Sequence, residues 1–166
     1  MGKPKILILL GSDSDLPVAD DCIKFLKDMG VPFKLDISSA HRHPEKTVKY
    51  AKETGKKGIE VIIAVAGMAA HLPGVLASHT TIPVIGVPTN GGMLNGIDAL
   101  LSIVQMPKGI PVATVGINAS KNAAILACQI LSIKYDEIRV KLEKMREDMR
   151  KDNEKKSKKL QANQRD

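Results

Sequence analysis

His41 and Arg42 stand side by side directly after an apolar run, a proton-transfer group next to a fixed cation. An imidazole titrates near neutrality and can move a proton in either direction. A guanidinium can clamp a phosphate through two parallel hydrogen bonds. A second segment, Gly11-Ser12-Asp13-Ser14-Asp15, follows another apolar run and sets hydroxyls and carboxylates on a glycine turn. Glycine lets a ligand approach the backbone, and free N–H groups at a helix start attract phosphate. Plain capping of a helix by Ser14 or Asp15 would account for the same residues without a ligand. The segment matches neither the Walker A loop nor G-x-G-x-x-G, so ATP and NAD binding find no support in it.

A third segment, Ala66-Gly67-Met68-Ala69-Ala70-His71-Leu72-Pro73-Gly74, places small residues and then His71 after a further apolar run. Such a loop lets a planar ligand lie against backbone amides. His71 is either a ligand contact or a satisfied loop histidine. Asn90-Gly91-Gly92 fits a mobile cover, His43 a polar helix start and His79 the surface. No Cys, His or Asp cluster has metal-ligand spacing. Cys22 and Cys128 each fall in an apolar helical stretch and read as buried free thiols of a reducing compartment.

The elements that must carry these loops alternate regularly. Lys5–Leu10, Val61–Val65 and Pro83–Val87 are continuous aliphatic runs, expected as strands buried on both faces. Pro32–Ile37 is mixed in polarity and belongs nearer a sheet edge, and Ile110–Val115 completes five strands. Helices are expected over Leu16–Met29, from Pro44 to about Thr54, after Gly74, over Asn95–Val104 and over Lys121–Ile133. Five βα units predict a parallel three-layer α/β/α sandwich with right-handed crossovers. Catalytic loops then lie at the C-terminal strand ends. Beyond this unit of residues 1–133, residues 134–166 form a charged segment with an apolar stripe of Ile138, Leu142, Met145 and Met149. The stripe needs a surface, on its own domain or on a neighbouring subunit. The Lys-rich end from Lys151 is expected to fray.

Composition narrows the partners. The chain has 166 residues, enough for one domain with a sizeable core, and 43 % of them are hydrophobic. There is no Trp and only two Tyr and two Phe, which argues against single-stranded nucleic-acid binding on stacking platforms. Of the formal +7, residues 134–166 contribute 12 Lys/Arg against 8 Asp/Glu, a net +4. Asp98 is the only charged side chain from Val61 to Pro107, so no basic face spans the body. Ile6–Leu10 is too short for a signal peptide, and the apolar stretch Val61–Ala77 is broken by Gly67, His71, Pro73 and Gly74. The expectation is a cytoplasmic protein without a membrane or nucleic-acid partner.

Five segments in order resemble the PurE family, the catalytic subunit of phosphoribosylaminoimidazole carboxylase. They are Gly11–Asp15, Ser39-Ala40-His41-Arg42, Ala69–Gly74, Pro83–Pro88 and Ser102-Ile103-Val104-Gln105-Met106-Pro107, and the resemblance runs from Lys5 to Ile133. Ala69–Gly74 is similar to the loop of the N5-carboxyaminoimidazole ribonucleotide mutases, where the direct carboxylases carry an Arg-Ser-Asn-Ala type of loop. The resemblance implies a flavodoxin-like fold, a homo-octamer with sites near subunit junctions, and a ribonucleotide substrate. It implies an isomerase of purine (IMP) biosynthesis that needs no redox or metal cofactor and is linked to an ATP-dependent synthetase. It makes His41 the general acid/base. Gly11, Ser12, Ser14 and Asp15 would hold the ribose-phosphate end with Arg42 on the phosphate. Ser39, Ala40, Gly67, Ala69, Ala70, His71 and Leu72 would line the pocket for the imidazole and its carboxylate. The chain differs from the usual family pattern at His43, Met68, Thr89–Gly92 and the short Asn118-Ala119-Ser120. Two rivals remain at this level: a direct carboxylase using carbon dioxide, and a non-catalytic α/β ligand-binding module.

Overall fold

The computed structural model describes residues 3–163. Its strands are β1 (Ile6–Leu10), β2 (Phe33–Ile37), β3 (Val61–Ala66), β4 (Val84–Pro88) and β5 (Ala113–Thr114). They form one parallel sheet in the order β2-β1-β3-β4-β5, the flavodoxin-like arrangement. The helices are α1 (Leu16–Asp28), α2 (Pro44–Thr54), α3 (Leu72–Ser78), α4 (Ile97–Val104), α5 (Ser120–Ser132) and α6 (Asp136–Ala162).

Strand side chains alternate between faces, so one buried run feeds two cores. Ile6, Ile8 and Leu10 of β1 join Cys22 and Leu26 of α1 and Ala124 and Cys128 of α5. Leu7 and Leu9 join Ala51 of α2, Leu76 of α3 and Ile103 of α4. Each such Ile or Leu side chain contributes roughly 1.5–3 kcal/mol when taken fully from water. β1, β3 and β4 are buried at every position because helices cover both faces. The free thiols of Cys22 and Cys128 are buried, and burial pushes them up to about 12 and about 11.

β2 is an edge strand, as its mixed sequence predicts. At its end the Ile37 N–H donates to Asp36 Oδ1 (2.7 Å) and the Ile37 carbonyl accepts Lys46 Nζ (2.7 Å). The other edge differs from expectation. β5 is a two-residue strand, not Ile110–Val115, because Pro111 lacks an N–H for the ladder. α4 begins at Ile97 rather than Asn95, since Asn95 (φ +51) and Gly96 (φ +87) are both left-handed.

α6 begins on the body and ends beyond it. Ile138 (7 % exposed) and Leu142 (8 %) belong to the core shared with α1 and α5. Met149 is 58 % exposed. The helix does not fray at Lys151 but continues to Ala162. No Gly or Pro interrupts it, and Glu147–Lys151 (2.6 Å) adds an i,i+4 ion pair. The final residues 164–166 of the Lys-rich end lie outside the described residues. Where α6 starts, Glu60 binds Lys5 Nζ (3.0 Å), Lys134 Nζ (3.2 Å) and the Tyr135 hydroxyl (2.5 Å). No helix among the described residues is long and apolar enough to cross a membrane.

Candidate active site

The order β2-β1-β3 brings the loops after these strands side by side, at the point where connections leave β1 in opposite directions. Open α/β sheets bind ligands in this crevice. A cavity of about 500 Å³ occupies it. A larger cavity, about 1130 Å³, lies at the N-terminal ends of β4 and β5 and is lined by Lys52, Lys56 and the exposed His79. It carries none of the three motifs, and the smaller cavity carries all of them.

The loop after β1 is shaped by its own carboxylates. Gly11 extends the pairing to β3, its N–H donating to the Val65 carbonyl (2.9 Å). Asp15 precedes α1 without a side-chain cap bond and instead accepts the Ser12 N–H at Oδ2 (3.0 Å). Thr89 Oγ1 donates to Asp15 Oδ1 (3.4 Å). The Asp15 carboxyl is thus buried, and burial raises it above the ordinary carboxylate range despite these bonds. Asp13 is exposed and accepts both the Ser12 hydroxyl (2.8 Å) and the Ser14 N–H (3.1 Å). The Ser12 hydroxyl bond, above all, holds the Asp13 carboxyl below the ordinary range.

Behind the loop after β2, two buried hydroxyls fix the backbone: Ser38 Oγ and Thr47 Oγ1 are 2.8 Å apart, joining the strand end to α2. Ser39 Oγ accepts the Arg42 backbone N–H (3.1 Å) and Arg42 Nε (3.5 Å), so it aims the guanidinium while leaving it exposed. His43 is exposed at the start of α2, where Pro44 occupies the first turn without losing a bond.

The loop after β3 meets His41 from the other side. The Ala70 N–H donates to the Met68 carbonyl (2.9 Å) and the His71 N–H to that of Ala69 (2.8 Å). This tight turn delivers His71 to the mouth of α3. His41 Nε2 and His71 Nδ1 then lie 2.6 Å apart, with their rings perpendicular. One nitrogen of the two must carry a proton and the other a lone pair.

Around the cavity stand Gly11, Ser12, Ser14 and Asp15 from the first loop. The second loop brings Ser39, Ala40, His41 and Arg42, and the third Gly67, Ala69, His71 and Leu72. Ala70 does not join them: it is buried, its methyl packed inward with Leu72 and Leu76. Thr89, Met68 and Gly91, which the sequence places in these loops without assigning them to the pocket, also line it. Thr89 directly follows β4, so the strand-end rule itself was the signal. It also explains Gly67, where an added Cβ would collide with Thr89 Oγ1. The cover expected over Asn90–Gly92 is anchored at its root, the Asn90 N–H donating to Asn118 Oδ1 (3.1 Å). Among the described residues, no three His, Cys, Asp or Glu side chains gather as metal ligands.

The chain is 61 % identical over 150 residues to the N5-carboxyaminoimidazole ribonucleotide mutase of Pyrococcus abyssi, covering 90 % of this chain and 86 % of that one. It is 57 % identical over 159 residues to the Pyrococcus horikoshii mutase, covering 96 % and 90 %. The crystal structure of Treponema denticola PurE superposes with a TM-score of 0.83 at 32 % identity, over 93 % of this chain and 98 % of that one. The profile of the AIR carboxylase family matches residues 5–152, and with the site geometry and these relatives it shows that the chain belongs to that family.

Proposed function

We propose that this chain is an N5-carboxyaminoimidazole ribonucleotide mutase, an isomerase of purine biosynthesis. It moves a carboxyl group from the exocyclic nitrogen to ring carbon C4. The observation that carries this reading is the His41–His71 pair, which faces Arg42 and the serine loop across one cavity. The reaction needs a proton given to nitrogen and another taken from carbon, and a phosphate held throughout.

His41 protonates the carbamate nitrogen, the C–N bond breaks, and carbon dioxide and the aminoimidazole ribonucleotide lie together in the pocket. C4 then attacks the carbon dioxide carbon, and neutral His41 removes the C4 proton to restore aromaticity. The proton ledger closes on one imidazole, with no redox or metal cofactor required. His71 orients His41 through the 2.6 Å bond. Ser12, Ser14 and Arg42 hold the phosphate and Asp15 the ribose end, while Gly11, Ser39, Ala40, Gly67, Ala69 and Leu72 shape the walls.

We further propose a cytoplasmic homo-octamer supplied by an ATP-dependent synthetase that makes the carbamate. An oligomer is supported by the exposed apolar face of α4, with Ile97, Leu101 and Val104 at i, i+4 and i+7 and Met93 and Leu94 before it. Its catalytic domain then runs to Ile133, and α6 (Asp136–Ala162) is a C-terminal helix packed on it through Ile138 and Leu142. Sedimentation of the full chain tests the octamer.

The activity test is incubation with N5-carboxyaminoimidazole ribonucleotide in bicarbonate-free buffer. Fast formation of the 4-carboxy product establishes the mutase. Product only from aminoimidazole ribonucleotide with added bicarbonate would make it a direct carboxylase.

A further inference from the structure

Met68 stands in the loop after β3 with φ +53, a left-handed backbone uncommon for a residue other than glycine. It is 61 % exposed, yet it lines the cavity that holds His41 and His71. Its Cγ lies 3.3 Å from where a Cβ would stand on Gly92, a residue that itself has φ +79. Met68 therefore reaches from the β3 loop across to the β4 loop, and Gly92 leaves the space it enters. The neighbouring wall residues Ala66, Gly67 and Ala69 are too short to span that gap, and Leu72 is buried. Met68 is the long, flexible, exposed apolar side chain of this wall. A thioether with three rotatable bonds adapts to a changing contour.

We propose that Met68 is the closing side chain of the reaction pocket, bridging the loops after β3 and β4 so that released carbon dioxide does not exchange with bulk solvent. The proposal rests on the mutase reading and deepens it. Between cleavage of the C–N bond and formation of the C4–C bond the carbon dioxide has no covalent tether. Only the walls decide whether it is recaptured or lost.

The test follows label from bulk ¹³C-bicarbonate into the 4-carboxy product while unlabelled N5-carboxyaminoimidazole ribonucleotide is converted. Wild type and Met68→Leu should incorporate little label. Met68→Gly, whose backbone is at ease at this φ, and Met68→Ala should incorporate several-fold more without a lower melting temperature. Equal incorporation by wild type and both truncations would overturn the proposal, as would wild type already at full exchange. No product from wild type under any supply would instead sink the mutase reading.

Discussion

His41 Nε2 and His71 Nδ1 meet at 2.6 Å with ring centroids 4.8 Å apart and planes at 90°. Edge-on approach lets one N–H point straight at the other ring's lone pair, so the tautomer of one histidine sets that of the other. His41→Asn should lower turnover by about 100- to 10,000-fold, the usual worth of a general acid/base. Substrate binding, read by calorimetry, should change little. His71→Asn should cost about 10–100-fold, as when a histidine loses its orienting partner. A His41→Asn protein with normal turnover would remove His41 from the chemistry.

Arg42 and Asp13 should act in opposite directions on the phosphate end. Arg42→Ala should raise KM by about 10–100-fold with a smaller change in kcat, since a charge-assisted bond is present in ground and transition states alike. Asp13 occupies the Ser12 hydroxyl and Ser14 N–H, the donors a phosphate would use. Asp13→Ala frees them and removes a repelling charge, so competitive inhibition by inorganic phosphate should tighten. Weaker inhibition would contradict this placement of the phosphate.

Gly67 and Thr89 form a steric pair across the β3–β4 boundary. Gly67→Ala alone should destabilise the fold by about 1–3 kcal/mol, the cost of overpacking a tight site. Added to Thr89→Ala, the same change should cost much less. Urea unfolding of both single variants and the double variant measures the coupling. Simple additivity would mean that the loops relax independently.

Glu60 gives the fold an acid limit. Burial pushes its carboxyl up, but the bonds from Tyr135, Lys5 and Lys134 outweigh burial and hold it down to about 2, against an ordinary 4.5. A group depressed in the folded state adds stability above its unfolded value, and that stability is lost as pH falls through the folded one. The contribution should be full above about pH 4.5 and fade toward about pH 2. With solvent screening it amounts to about 1–2 kcal/mol. Glu60→Gln should flatten this part of the stability–pH curve, measured by denaturant midpoints. An unchanged slope would assign the acid limit elsewhere.

The two halves of α6 should respond differently. Leu142→Ala removes a buried side chain and should cost about 2–4 kcal/mol in thermal or urea unfolding. Among the described residues, ending the chain after Met149 removes only exposed ones, and it should leave the melting temperature of the isolated body unchanged. A fall in sedimentation coefficient larger than the lost mass would place this half in a subunit contact.

The parts of the fold legible in the sequence were those set by burial. Ile6–Leu10 and Val61–Ala66 are aliphatic without interruption because both faces are covered, and their length of five and six residues suits a strand rather than a helix. The ends of elements were less legible because they depend on single backbone angles. Asn95 at φ +51 reads as an ordinary helix residue, and Pro111 hides inside an apolar run. In the site, Ser39 and Arg42 lie within one loop, and their contact follows from short spacing. The His41–His71 bond spans 30 positions and depends on the strand order, which no local pattern encodes. Ala70 lies in the core while its neighbour Ala69 lines the cavity, a difference set by the turn that two adjacent alanines do not reveal.

The sheet ends in two strands that another chain cannot easily extend. β5 offers a partner two residues, with Pro111 shortly before them, and the tip of β2 has spent its Ile37 carbonyl and N–H on Lys46 and Asp36. Unpaired strand edges are templates for runaway cross-chain aggregation. With those templates blunted, strand-to-strand addition of further copies is disfavoured, and the protein can be held at high concentration without growing into a fibre.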